Sequence, residues 1–152
     1  MPSLQQLLKK REGVRYDVYL DSRKKPTVGI GHLVVAADKL KLGDTIDDRR
    51  VSEFFKKDSA KALAAARAQA AKAKIKDAGF VTYLASVNFQ LGATWTKTFK
   101  KSWALIVAGK YEEAANEVQK SRWYSQTPVR VKDFQKALRS LKDGADDDGK
   151  AK

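Results

Sequence analysis

Residues 12–32 read Glu-Gly-Val-Arg-Tyr-Asp-Val-Tyr-Leu-Asp-Ser-Arg-Lys-Lys-Pro-Thr-Val-Gly-Ile-Gly-His, and their pattern decides the fold. Tyr16 to Leu20 is rich in strand-forming residues. Asp21 to Lys25 is polar and opens on an aspartate, which reads as a turn. Pro26 to His32 returns as a second strand, with glycines at 29 and 31 that would let the backbone approach a bulky ligand. Two strands around a polar turn make a hairpin, and a lone hairpin is marginal in water. A small antiparallel sheet of about three strands is therefore expected.

Working toward the N-terminus, Ser3 is placed to cap a helix, with Gln6 in the capping-box position. Leu4, Leu7 and Leu8 share one face, and Gly13 stops the helix so that Glu12 stands at its C-terminal end. The helix dipole disfavours an anion there, which hints at a role for the acid. Toward the C-terminus, Gly43-Asp44 marks a turn and Asp47 an N-cap. Residues 47–78 then run without Gly or Pro, through an alanine-rich stretch that is strongly helical. After Asp77 every segment is helical in pattern. Apolar runs stop at Gly92 and Gly109, Tyr111 to Lys120 is amphipathic, and Thr127-Pro128 opens a last helix with an N-cap and an N1 proline.

The order helix, small sheet, long helix, helical bundle is an α+β arrangement with segregated parts. We expect a single domain over 1–143. A small antiparallel β-sheet lobe at about 13–58 is joined by a long helix, about 47–76, to a mostly helical lobe at about 77–143 that includes the N-terminal helix 3–12. Residues 144–152, polar and glycine-containing, are expected to be a disordered tail.

The chain has 152 residues, 43% hydrophobic and 32% charged, which is a globular composition. No apolar run is long enough to span a membrane, so no transmembrane segment is expected. The first thirteen residues lack the apolar core of a signal peptide, so synthesis in the cytoplasm is expected. With no cysteine and a single histidine, disulfides, thiolate sites and multi-histidine zinc motifs are excluded, and no cofactor or metal is expected. Chemistry then falls to carboxylates, hydroxyls, lysines or His32. Thirty-one Lys and Arg against eighteen Asp and Glu give +13, which implies attraction to a polyanion. Aromatic and basic residues do not interleave on any recognisable platform, so specific nucleic-acid binding is not expected.

Glu12 and Asp21, nine positions apart on a helix end and a hairpin, suit the paired-carboxylate chemistry of glycoside hydrolysis: one acid for the leaving oxygen, one anion on the opposite sugar face. The spacing alone is equally that of two ordinary surface acids. Glu12-Gly13, Asp21 and Thr27-Val28-Gly29-Ile30-Gly31-His32 together resemble the catalytic segment of the phage-type lysozymes, the family of the T-even phage enzyme. Phe89-Gln90-Leu91-Gly92 and Ser121-Arg122-Trp123-Tyr124-Ser125-Gln126-Thr127-Pro128-Val129-Arg130 resemble the family's C-terminal lobe, in the same order. The similarity runs from about Leu4 to Leu141.

That resemblance implies a lysozyme-like fold and an endolysin cutting the β-1,4 bond between N-acetylmuramic acid and N-acetylglucosamine of bacterial peptidoglycan. It implies Glu12 as general acid and Asp21 with Thr27 positioning water for inversion. Leu33, Phe89, Gln90, Ser102 and Glu117 match saccharide-contacting positions, and Arg130 matches an arginine beside the acid. His32 matches a structural histidine paired with an aspartate, here Asp58. Two departures stand out: the stretch from His32 to Asp58 is shorter than in the T-even enzyme, and Glu117 replaces an expected Asn. A monomer acting in the periplasm or cell wall, after release through a separate membrane pore, is implied. Lys9, Lys10, Arg11, Arg23, Lys24 and Lys25 are placed to draw the protein toward anionic envelope polymers.

Two other readings stay open on the sequence. A lytic transglycosylase cuts the same bond without adding water. A membrane-active cationic protein would instead use residues 128–142, where Val131, Phe134, Leu138 and Leu141 oppose five basic side chains. Trp123 and Tyr124 read either as a sugar platform or as core.

Overall fold

Ser3 begins the first helix in the way its sequence demands. In a computed structural model that describes residues 3–141, the Ser3 hydroxyl accepts from Gln6 N–H at 3.2 Å, and the Gln6 side chain accepts from Ser3 N–H at 2.9 Å. Helix α1 spans Leu4–Glu12 and buries Leu7 and Leu8. The tail expected to be disordered, 144–152, lies outside the described residues. The chain divides into two compact units, one up to Lys61 and the other from Ala62 onward. Helix α1 falls in the first with the sheet, whereas the sequence reading groups it with the helical lobe.

In the first unit, β1 (Arg15–Leu20) pairs antiparallel with β2 (Pro26–Gly29), and β2 with β3 (His32–Leu33), in the order β1-β2-β3. The expected second strand is thus broken in two. Gly29 (φ +68°) and Gly31 (φ +63°) adopt left-handed backbone that other residues avoid. They turn the chain around the buried Ile30, bringing His32 opposite Val28 and Leu33 opposite Thr27. On the other side of β1, Val18 N–H donates to Asp44 carbonyl and Ile46 N–H to Tyr16 carbonyl, so residues 44–46 cover that edge.

Helix α2 runs Asp48–Lys72, and the Asp47 carboxylate caps it by accepting from Arg50 N–H at 3.0 Å. At about 1.5 Å per residue it is roughly 37 Å long. It stops short of residue 76 because Lys74 takes φ +59°. Lys74 N–H then reaches Ala71 carbonyl, and the N–H of buried Ile75 reaches Ala70 carbonyl. This is a Schellman ending made without glycine.

The second unit is helical: α3 (Ala78–Leu91), α4 (Trp95–Thr98), α5 (Lys100–Val107), α6 (Tyr111–Val118), α7 (Arg122–Gln126) and α8 (Pro128–Ser140). The helix expected from Phe99 is separated from a short preceding turn of helix by Phe99 itself (φ −105°, ψ 60°). Phe134 centres the core, its ring 5.7 Å from Phe80 and 5.8 Å from both Trp95 and Trp123. Trp123 is core, not platform, at 3% exposure. Val131, Phe134 and Leu138 are likewise buried, so the face that a membrane-inserting α8 would need is committed to packing. Thr127 stands at the N-cap of α8, but its hydroxyl does not cap; it donates to Trp123 carbonyl instead. Asn88 ties α3 to its surroundings through a reciprocal amide pair with Gln69, a bond to Ala62 carbonyl and one from Trp95 Nε1. Among the described residues, no helix is long and apolar enough to cross a membrane.

Candidate active site

Glu12 owes its place to the two ends of α1. The Ser3 capping box fixes the start, and Gly13 (φ +72°) leaves the helix immediately after the acid. The half-buried carboxylate meets the Gly29–Gly31 turn. A Cβ on Gly31 would lie 2.7 Å from Glu12 Oε1. The two glycines reverse the strand, and Gly31 leaves room for the Glu12 carboxylate.

Asp21 follows β1 and organises the hairpin loop. Its Oδ1 accepts from Arg23 N–H at 2.8 Å and Lys25 N–H at 2.9 Å, while its own N–H donates to Lys25 carbonyl at 2.9 Å. Lys24 takes the left-handed position the loop requires (φ +62°). Such an aspartate-centred turn is what the Asp-led polar stretch predicts. Oδ2 is left facing the Arg23 guanidinium at 3.8 Å.

Thr27 is buried on β2, and its hydroxyl donates to Lys25 carbonyl at 3.0 Å. Its hydrogen is thereby committed, leaving the oxygen lone pairs as acceptors. Thr27 pairs with Tyr19 on β1 and with Leu33 on β3. Directly opposed residues share a face of an antiparallel sheet, so Tyr19, Thr27 and Leu33 form one row. Leu33 is 44% exposed, an apolar side chain left facing outward.

Tyr19, which the sequence reading did not single out, stands in this row opposite Thr27. Arg15 Cζ stands 4.2 Å from its ring centroid, and Arg15 is held by Asp17 through bonds of 3.0 and 2.8 Å. Burial first, then the negative charge of Glu12 and that of Asp21 and Asp17, push the phenol above its ordinary pKa, against the opposing charge of Arg15. The available signal was strand alternation, which puts Tyr19 on the same side as Asp21 two residues on.

His32 is a brace with two arms. Nδ1 lies 2.6 Å from Asp58 Oδ2 and Nε2 lies 2.8 Å from Asp38 Oδ2. The ring stacks on Phe54 at 3.8 Å. Burial works to lower the imidazole pKa, but hydrogen bonds and charge from Asp58 and Asp38 outweigh it and raise it. Asp38 was not anticipated; it ends a 3-10 turn, Ala36–Asp38, and also accepts from Val35 N–H.

Glu12, Asp21, Thr27, Leu33, His32 and Asp58 thus belong to the first unit, and the remaining candidates to the second. Gln90 is engaged: its oxygen accepts from Trp123 Nε1 at 2.9 Å and its nitrogen donates to Thr127 hydroxyl at 3.1 Å. Phe89 is half-buried beside it in sequence. Ser102 is 4% exposed on α5. Glu117 on α6 lies 3.6 Å from Lys101 and 3.5 Å from Lys120. The Arg130 guanidinium donates to both Ser86 carbonyl and Ser86 hydroxyl at 3.2 Å.

Comparison with known proteins agrees with this layout. Residues 9–139 match the phage lysozyme family. The chain is 32% identical over 150 residues to the probable T4-type lysozyme 2 of Dictyostelium discoideum, covering 84% of this chain and 88% of the relative. It is 29% identical to the probable T4-type lysozyme 1 of the same organism, with the same coverage. It is also 26% identical over 127 residues to the peptidoglycan hydrolase gp36 of Pseudomonas phage phiKMV, covering 84% of this chain and 14% of that protein. A helix-borne acid, an aspartate-centred hairpin, a buried threonine and a family match across nearly the whole chain lead to one assignment: the protein belongs to the phage lysozyme family and is a glycoside hydrolase of the lysozyme type.

Proposed function

We propose that the protein hydrolyses the β-1,4 bond between N-acetylmuramic acid and N-acetylglucosamine in bacterial peptidoglycan, with inversion at the anomeric carbon. Glu12 donates a proton to the departing glycosidic oxygen. Asp21 and Thr27 hold the water that attacks from the opposite face, and Asp21 takes its proton.

The observation that carries this reading is the state of the two water-holding groups. Asp21 Oδ1 is occupied by two backbone N–H groups, which fixes the carboxylate, while Oδ2 has the Arg23 guanidinium at 3.8 Å and no hydrogen bond among the described residues, so it can still accept from water. The Thr27 hydrogen is spent on Lys25 carbonyl. Both side chains therefore act as acceptors toward water. A water molecule that donates one hydrogen to each has its lone pair free as the nucleophile, which is the requirement for single displacement. A lytic transglycosylase has no use for such a pair. Leu33 on the sheet row, and Phe89, Gln90, Ser102, Glu117 and Arg130 in the second unit, are assigned to saccharide or acid on resemblance alone. The +13 charge favours approach to the anionic wall. Action on the wall after passage through a separate membrane pore is part of the proposal.

Proton NMR of fresh digestion products tests the mechanism. An initial excess of the α-anomer of the new muramoyl reducing end is expected. A β-anomer excess, or 1,6-anhydro ends, would overturn it.

A further inference from the structure

A cavity of about 470 Å³ lies between α1, β1 and α2, wholly within the first unit, and neither Glu12, Asp21 nor Thr27 lines it. Its volume is in the range of pockets that hold a small organic molecule, roughly 300–1,000 Å³. Ile30, Val51 and Phe55, all buried, give it an apolar floor. Val14 and Tyr16 also line it, and they are large apolar side chains left 43% and 47% exposed. Tyr16 is fixed in place, because its hydroxyl donates to Asp48 Oδ1 at 2.5 Å.

Three charged side chains line the same cavity: Lys9 from α1, and Asp48 and Lys56 from α2. Asp48 is engaged by Tyr16, whereas neither lysine forms an ion pair among the described residues. Two cations against one anion leave a single positive charge beside an apolar floor. A molecule with an apolar body and one negative charge satisfies both features. Its body removes the floor from water, and its head neutralises the lining. An organic cation is repelled, and an uncharged molecule of the same length leaves the two ammonium groups unanswered.

We propose that this cavity binds an amphiphilic monocarboxylate of the fatty-acid type, taken singly from solution. The tail lies on Ile30, Val51 and Phe55, and the carboxylate meets Lys9 and Lys56. A free molecule is the occupant because the floor residues are buried, out of reach of a bilayer surface. The site is separate from the chemistry of Glu12 and Asp21, so it stands or falls independently of that reading.

The test titrates the full chain with decanoate below its micelle concentration, followed by calorimetry and by NMR shifts. Saturable one-to-one binding is expected, with the largest shifts at Val14, Ile30, Val51 and Phe55. Decanol, of the same length but uncharged, binds about 5-fold or more weakly, and decyltrimethylammonium does not bind. Lys9 and Lys56 are both exposed. Lys9→Gln combined with Lys56→Gln weakens decanoate about 5-fold or more, with decanol affinity and melting temperature unchanged. Absence of saturable binding, equal affinity for decanol, shifts centred elsewhere, or unchanged decanoate affinity in the double variant would overturn the proposal. Binding seen only with vesicles of anionic phospholipid would overturn it too, and would assign the lysines to a membrane surface.

Discussion

The α-carbon of Gly31 lies against the Glu12 carboxylate, so that a Cβ there would stand 2.7 Å from Oε1 and 2.8 Å from Cδ. The backbone of the β2–β3 turn is thus one wall of the acid's position. Gly31→Ala has two separable consequences. The positive φ of 63° costs about 1 kcal/mol of stability. The carboxylate, at the end of a flexible side chain, must move, and a displacement near 1 Å lowers turnover by about 100-fold. Kinetics beside melting measure both. Full turnover with a lowered melting temperature would show that the contact has no bearing on the acid.

The His32 brace predicts a pH dependence of stability with a definite sign. Both ring nitrogens face a carboxylate oxygen, and only the imidazolium carries a donor on each. The raised imidazole pKa means that this contribution is complete below the ordinary 6.5 and is lost as pH rises through the folded value. Asp38 runs the other way. Burial opposes its ionisation, but Val35 N–H and His32 lower its pKa, so its contribution is complete above 3.8 and lost as pH falls through the folded value. The cluster therefore stabilises most between about pH 4 and 6.5. His32→Gln should cost about 3 kcal/mol at pH 5.5 and distinctly less at pH 9, as read from denaturant midpoints. An equal cost at both pH values would contradict the charged brace.

Asn88 is buried at 5% exposure, and each face of its amide is used. Asn88→Ala leaves the Trp95 indole N–H and the Ala62 carbonyl without this partner. A loss of about 3 kcal/mol follows, since each buried group left unsatisfied costs about 1–3 kcal/mol. Chemical denaturation reads it directly, and a change under about 0.5 kcal/mol, the usual scale of surface substitutions, would show the network to be dispensable.

Lys74 ends α2 with φ +59°, a conformation that glycine adopts without a Cβ penalty. Lys74→Gly should raise stability by about 0.5–1 kcal/mol with activity unchanged. A fall in melting temperature would mean that the lysine side chain contributes more than its backbone costs.

The parts of this fold that sequence reveals are those decided locally. The Ser3 capping box, the Asp47 cap and the Asp21 turn each depend on a side chain bonding backbone within a few residues, and each forms as read. Other features depend on distant partners or on unusual backbone. Pro26 to His32 looks like one strand because its glycines give no sign that they hold positive φ, yet that turn creates β3. The helix stop at Lys74 hides within a run of good helix formers. Asp38 carries no motif, and only the fold brings it to His32 across a short 3-10 turn. Within the candidate site, the position of Glu12 at a helix end was legible. Its contact with Gly31 was not, because it follows from the positive-φ turn that ends β2 rather than from spacing along the chain.

In the proposed mechanism Glu12 delivers the proton and water completes the cleavage. Its most direct test is clearing of purified peptidoglycan sacculi by the wild-type protein and by Glu12→Gln at equal folded concentration, with mass analysis of the fragments. The wild type is expected to release reducing fragments that carry the mass of added water, and the variant to lose nearly all clearing. Undiminished clearing by Glu12→Gln, or anhydro-muramoyl fragments from the wild type, would contradict it.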